Sequence, residues 1–381
     1  IHQEGNSFFL AGTGSSPDGD RPFLDRLDLS TMQSCRLFRS SKSCFEQFLA
    51  FTKSDTKTFF TLRESPEEPP NVYRRTIKGA IQAPDDEAAF ASESVAITKI
   101  ADPAPLVRQV KKQLFTYRRG DGVELSFTLY TPPGYQEGTR VPTILYAYPL
   151  HYADASTAAQ TSGSQATFTT LSDYKYLLLA GYAIIDWVSF PIIGNPKTAY
   201  DAYMEQLIAN AKAAVGEAVR LGVADPERIG VTGHSHGALM TVNLLAHTDL
   251  FRAGIAISGS YNKTLTPFGF QDERRTLWEA REVYSTVSPF FFADKIKRPL
   301  LLMHGADDAN CGTTPLQSSK LYEAIRAHGG NTRLVLFPNE PHWYAARESN
   351  EHCVWEMLEW FNKYVKNVAG PRLSKDVTWQ Y

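Results

Sequence analysis

The chain has 381 residues, 43% of them hydrophobic and 21% charged, with a formal net charge of −2. That length accommodates one large domain plus a smaller one. The near-neutral charge gives no electrostatic footprint for nucleic acid, and no apolar run approaches the ~20 residues that would cross a bilayer, so neither nucleic acid nor membrane is expected as a partner.

The chain starts at Ile1 rather than Met, without a basic-then-apolar signal segment. It reads as a cut piece of something longer, and its compartment stays open. Residues 1–105 carry short strand-like runs at 7–11, 23–29, 35–38, 47–52, 57–62 and 71–77, separated by turn-rich segments such as Ser15-Ser-Pro-Asp-Gly-Asp20. Regular short strands with turn signals predict an all-β array. Six or seven strands amount to between one and two four-stranded propeller blades, fewer than closure needs, so the remaining blades would lie upstream. An independent small β-domain is the alternative. Segments 83–87 and 102–105 read as loop or linker. Of the four cysteines, Cys35 and Cys44 could bridge neighbouring strands and Cys311 and Cys353 could approach each other, but four buried thiols fit equally well. None forms a close pair, so no zinc site is expected.

From Gln113 onward strands alternate with helices, which predicts a doubly wound, largely parallel sheet and an α/β domain over 106–381. Runs 113–118 and 123–130 read as a hairpin around Arg119-Gly-Asp-Gly122. Runs 143–148 and 182–188 read as buried strands. Residues 201–221 read as a long amphipathic helix, because Met204, Leu207, Ile208, Ala211, Val215 and Val219 recur at helical spacing. Asp225-Pro226 is expected to break the chain before a short strand at 229–232. Later strands fall at 254–258, 300–304 and 333–337, and a closing helix at 351–365 shows Val354, Met357, Leu358, Phe361 and Val365 on one face.

Val231-Thr-Gly-His-Ser-His-Gly237 places a G-x-S-x-G between an apolar run and an apolar helical stretch, the context of a nucleophile elbow. Ser235 is the candidate nucleophile, and a serine hydroxyl needs a neighbouring base to take its proton. Of nine histidines, His342 alone lies downstream of a candidate acid in a loop after a strand. The acid, which fixes the imidazole tautomer and stabilises the imidazolium, is Asp307 or Asp308; periodicity does not separate them. The order Ser, acid, His is that of α/β-hydrolases. The backbone N–H of His236 supplies one oxyanion donor. The glycine run that often supplies the second is absent after strand 143–148; the Tyr148 phenol could serve instead, or could cap the strand.

With these residues named, the chain resembles the prolyl oligopeptidase family of serine peptidases, and within it the glutamyl endopeptidase branch. The resemblance rests on Gly233-His-Ser-His-Gly-Ala238, Ser258-Gly-Ser-Tyr-Asn262, Leu265-Thr-Pro-Phe-Gly-Phe270, Arg275-Thr-Leu-Trp-Glu279, and His342 with Ala346-Arg-Glu-Ser349. It implies an α/β-hydrolase domain preceded by the last blades of a β-propeller, Asp308 as the acid, and Tyr148 as an oxyanion donor. His236 stands where that branch usually has tyrosine, and Cys311 stands near a usual proline. A glutamyl preference would need a cation, for which Arg274, Arg275 and Arg347 are candidates, with Tyr261 as an apolar wall. The function expected is peptide-bond hydrolysis through an acyl-enzyme, with a peptide as substrate and without metal or cofactor. A carboxylesterase or lipase, and a non-catalytic binding protein on the same scaffold, are the alternatives.

Overall fold

The computed structural model describes residues 2–367, apart from Asp18, Ser54, residues 81–89, 159–162 and Phe270. It divides into two units, 1–108 with 160–170 and 109–159 with 171–381. The short return of 160–170 to the first unit has no counterpart in the sequence reading. Backbone groups there find partners in that unit: Phe168 N–H donates to Glu64 Oε2 at 2.8 Å, and the Thr169 carbonyl accepts from Arg108 at 2.6 Å.

Among the described residues, the first unit holds eight strands. Strands β1 (His2–Glu4), β2 (Ser7–Gly12), β3 (Phe23–Asp28) and β4 (Gln33–Arg39) form one antiparallel sheet in sequence order. Strands β5 (Phe45–Phe51), β6 (Thr58–Glu64), β7 (Asn71–Ala80) and β8 (Phe90–Ala96) form a second of the same kind. The sequence reading missed β1, which is three residues long, and β8, whose Ser and Glu residues dilute its apolar signal. Phe9, Leu24, Leu37, Phe38 and Phe59 form the apolar core. Buried Glu46 accepts from Arg75 at 2.6 and 2.7 Å and from the Thr61 hydroxyl at 2.6 Å, which satisfies its charge. The loop expected at 83–87 lies outside the described residues. All four cysteines are free thiols, Cys44 and Cys353 buried, Cys35 half-buried and Cys311 exposed.

The second unit contains β9 (Lys111–Arg118), β10 (Glu124–Thr131), β11 (Val141–Ala147), β12 (Leu150–Tyr152), β13 (Ala183–Val188), β14 (Pro191–Ile193), β15 (Ala224–His234), β16 (Ala253–Ile257), β17 (Leu300–Gly305) and β18 (Thr332–Phe337). Its helices are α1 (Ala155–Ala158), α2 (Tyr203–Arg220), α3 (His236–His247), α4 (Arg281–Thr286), α5 (Pro315–Ala327) and α6 (Arg347–Phe361). Eight strands form one sheet in the order β18-β17-β16-β15-β11-β13-β10-β9. The β9–β10 and β10–β13 pairings are antiparallel and the other five are parallel. Two apolar cores lie against it. One packs α2, α3 and α5 through residues such as Leu207, Ala211, Val215, Leu239, Leu321 and Ile325. The other gathers Leu177, Leu178, Met357, Trp360, Phe361 and Val365. A parallel sheet must be covered on both faces, and the near-continuous apolar runs of its strands reflect that.

Two expected boundaries shift. The chain does not break at Asp225-Pro226. β15 runs through, and pairing with β11 jumps from Val141–Ala224 to Thr143–Ile229, so the proline sits in an irregularity where its missing N–H costs no ladder bond. Helix α6 begins at Arg347, ahead of the expected 351. The buried Glu340 carboxylate accepts from the N–H groups of Ala345 at 2.6 Å and Ala346 at 3.0 Å, so a residue distant from the helix supports its start.

Candidate active site

Ser235 sits between the end of β15 and the start of α3, at φ 57° and ψ −115°. A positive φ is rare for a side chain bearing a Cβ and costs about 1–3 kcal/mol, so the surroundings must impose it. They do so by close approach. A Cβ on Gly233 would lie 2.4 Å from the Gly237 carbonyl, and one on Gly237 would lie 2.5 Å from the Ala147 carbonyl oxygen of β11. The Ser235 N–H donates to the Ile257 carbonyl at 2.8 Å, locking the turn onto the end of β16.

Beyond the end of β17, Asp307 is exposed and Asp308 buried. Asp308 Oδ2 accepts from His342 Nδ1 at 2.7 Å, from His304 Nε2 at 3.1 Å and from the Thr313 hydroxyl at 3.1 Å, while Oδ1 accepts from the Asn310 N–H at 2.9 Å. Burial alone would raise this carboxyl. The donors from His304, His342 and Asn310 outweigh it and hold the group at about 2. His304 Nε2 faces two acceptors, Asp308 and the Thr313 carbonyl, so it carries a proton; Nδ1 is then left to accept from the Ser318 hydroxyl at 2.7 Å. His342 lies in the loop after β18 with its side chain 20% exposed. Its carbonyl accepts from His234 Nε2 at 2.8 Å, and His234 stacks on Trp343 with ring centroids 3.7 Å apart. The residue before Ser235 thus holds the loop that carries His342.

Tyr148 follows β11. Gln271 Nε2 donates to its phenol at 3.5 Å, and the Ser235 side chain acts on it electrostatically. Burial pushes the phenol up against these contacts, which keeps its proton available for donation. The His236 side chain is buried, edge-on to Tyr148 at 5.6 Å, and its Nε2 pairs with the Tyr203 hydroxyl at 2.9 Å. Burial and then the Lys263 charge drive this imidazole well below its ordinary value. The other sequence-proposed residues lie differently. Arg275 is clamped by Glu273 at 2.8 and 2.9 Å and by Asp201 at 2.7 Å. Arg347 is exposed and pairs with Glu351 at 2.6 Å, Arg274 is exposed, and Tyr261 is fully buried. Sequence reasoning missed His304, Thr313 and His234 as supports. The position of His304 just before the acid was visible; its partner Ser318, on α5, was not. Among the described residues no cluster of three or more His, Cys, Asp or Glu could hold a metal ion, and no helix is long and apolar enough to cross a membrane.

Strand order, the strained serine between β15 and α3, and an acid and a histidine beyond β17 and β18 together define an α/β-hydrolase. Residues 197–368 match the prolyl oligopeptidase family, and the chain carries a domain of that family. It is 41% identical to a protein of Arabidopsis thaliana named probable glutamyl endopeptidase, chloroplastic, over 98% of this chain and 40% of that protein. A protein of the same name from Oryza sativa subsp. japonica is also 41% identical, over 95% and 39%. The chain therefore spans about two fifths of the length of these relatives. Among solved structures, the acylaminoacyl peptidase of Pyrococcus horikoshii aligns at a TM-score of 0.64 and 22% identity, covering 96% of this chain and 55% of that one. Porphyromonas gingivalis dipeptidyl peptidase 4 aligns at 0.66 and 16%, covering 94% and 48%. At those identities the likeness is one of fold.

Two outcomes follow. Gly237→Ala forces a methyl against the Ala147 carbonyl, so it should lower the thermal midpoint and abolish Ser235 labelling by a fluorophosphonate; wild-type labelling would mean that the turn relaxes cheaply. The second concerns pH. Burial lowers His234 to about 4, His236 well below 6.5 and His247 in the same direction. The unfolded imidazoles bind protons near 6.5 while the folded ones resist, so this stability is complete above that pH and is lost as pH falls toward 4. Asp308 acts in a lower window, its contribution disappearing only as pH falls from 3.8 through about 2. Urea unfolding at pH 8 and pH 5 should show a lower midpoint at pH 5, and His236→Gln should narrow the difference. Equal midpoints at the two pH values would contradict the assignment.

Proposed function

We propose that the protein hydrolyses peptide bonds through an acyl-enzyme on Ser235. The Ser235 hydroxyl attacks the scissile carbonyl carbon while His342 Nε2 takes its proton. The nitrogen is free to do so because Nδ1–H is directed at Asp308. The developing oxyanion accepts from the Tyr148 hydroxyl and the backbone N–H of His236. The imidazolium then returns the proton to the departing amine, the C–N bond breaks, and an ester to Ser235 remains. Water, deprotonated by His342, attacks this ester and regenerates the serine. The observation that carries the reading is the 2.7 Å His342–Asp308 hydrogen bond, made by a loop that His234, the residue before Ser235, ties to the end of β15.

A preference for a glutamyl residue on the acyl side is part of the proposal. It is supported by the names of the two 41% identical relatives. Their greater length, together with two successive four-stranded antiparallel sheets, supports reading 1–105 as terminal blades of a β-propeller.

Ser235→Ala should reduce turnover of a peptidyl anilide by roughly 10⁴–10⁶ without changing the far-UV circular dichroism, because nucleophile and base act as a unit. Residual activity near the wild-type level would remove Ser235 from the chemistry. Tyr148→Phe should lower kcat by ~10²–10³ with little change in KM; a loss below about threefold would leave the phenol a strand cap.

A further inference from the structure

The Tyr148 phenol can donate to an oxyanion only if its hydrogen points there, and the ring alone does not fix that direction. A phenol oxygen carries one hydrogen and two lone pairs, and the hydrogen turns to suit its neighbours. The ring is placed by the elbow. It stands edge-on to the His236 imidazole with ring centroids 5.6 Å apart, and its Cδ2 lies 3.8 Å from where a Cβ on Gly237 would stand. Both residues directly follow Ser235, so the ring leans on the turn that bears the nucleophile while its hydroxyl is left to rotate.

The group that meets this hydroxyl comes from the loop between the 3-10 turn Lys263–Leu265 and α4. Gln271 Nε2 donates to the Tyr148 oxygen at 3.5 Å. A bond of that length is weak, so its part is to direct the hydroxyl and not to hold the loop. The loop is held by other means. The Leu277 N–H donates to the Pro267 carbonyl at 2.7 Å and draws it closed, and the Tyr284 hydroxyl of α4 donates to the Arg275 carbonyl at 2.8 Å. A Cβ on Gly269, whose φ is 95°, would lie 2.7 Å from the Glu273 carbonyl oxygen, so only glycine fits there. Gln271 itself takes φ 59°, and its Oε1 is buried and meets no donor among the described residues. A positive φ on a side-chain-bearing residue and an unanswered buried carbonyl each cost stability. Costs of this kind gather where a side chain is held in one direction for function.

We propose that Gln271 is a positioning residue for the oxyanion: its amide N–H occupies one lone pair of the Tyr148 oxygen, so that the phenol hydrogen turns toward the substrate carbonyl. This rests on Tyr148 being an oxyanion donor. A donor is required at 271, because an acceptor there would take the phenol hydrogen for itself and leave the developing negative charge with the His236 N–H alone.

The test measures kcat and KM for one peptidyl anilide across a double-mutant cycle of Gln271 and Tyr148. Gln271→Leu should lower kcat by about 3–10-fold, the contribution of one neutral hydrogen bond, with KM within about twofold of wild type. In a Tyr148→Phe background the same substitution should change kcat by less than about twofold, because no hydroxyl remains to be aimed. Gln271→Glu, nearly equal in shape, should lose more than Gln271→Leu, because its carboxylate accepts the phenol hydrogen. A residue needed only for packing would show the reverse order, and its loss would add to that of Tyr148→Phe. Equal losses in the two backgrounds overturn the proposal. So does a rise in kcat for Gln271→Leu, which would mean that Oε1 faces the phenol and withholds its hydrogen. Should Gln271→Leu lose its fold, Gln271→Glu carries the same cycle, with a loss that shrinks in the Tyr148→Phe background. A loss below about threefold for Tyr148→Phe alone refutes the phenol as donor, and the proposal with it; a full loss there with no effect of Gln271→Leu refutes the proposal alone.

Discussion

The crossing of three backbone segments at Ser235 is the constraint on which the rest of the site depends. The chain turns from β15 into α3 so tightly that the carbonyls of Gly237 and Ala147 occupy the space where Cβ atoms at 233 and 237 would stand. Only glycine fits at either position. The serine between them takes a positive φ, and the Ile257 carbonyl receives its N–H. A strained conformation of this kind survives because the sheet around it is rigid: β15 is central, hydrogen-bonded on both sides to parallel neighbours, and α3 behind it is buried along most of its length. Stability that the cores provide is in part what holds the Ser235 hydroxyl at the edge of the sheet.

Around that turn the polar groups are arranged so that few charges go unanswered. Asp308 is buried, yet it accepts from His342, His304, Thr313 and the Asn310 N–H. His304 is in turn fixed by Ser318 of α5. An acid in such a network stays ionised and cannot rotate away, so the imidazole it meets has a defined orientation and a defined proton. His234 acts from the opposite side, tying the carbonyl of His342 to the strand that ends at the serine. The loop bearing His342 is thereby held at two points, one at the imidazole ring and one at the backbone.

The same sorting of charge gives arginines that the sequence offers for substrate recognition a structural part instead. Arg275 joins Asp201 and Glu273, and Arg347 joins Glu351 along one helix face. Both lie in stretches that carry the resemblance to glutamyl endopeptidases, which shows that a shared motif can be structural in its chemistry. The relatives, the strand order and the elbow agree on the class of domain; the fate of each positive charge is a separate question, decided by its neighbours.

Much of this was legible in the order of residues. The G-x-S-x-G between an apolar run and an apolar helix, the acid after one strand and His342 after the next follow from local pattern, because a parallel sheet places successive strand ends along one edge. The amphipathic spacing of Leu207, Ala211 and Val215 identified α2, and the alternation of strands and helices identified the layers. Other features depended on contacts between distant segments. Asp307 and Asp308 are alike in sequence, and only the fold buries one and exposes the other. The strand through Pro226 persists because its pairing with β11 passes over residues 225–228, which no property of Pro226 itself reveals. His304 gains its part from Ser318 and α6 its start from Glu340. The sequence by itself determined which groups could react and in what order they follow one another. Tertiary packing alone decided which neighbour each charge meets, since that is a matter of distance in space and not along the chain.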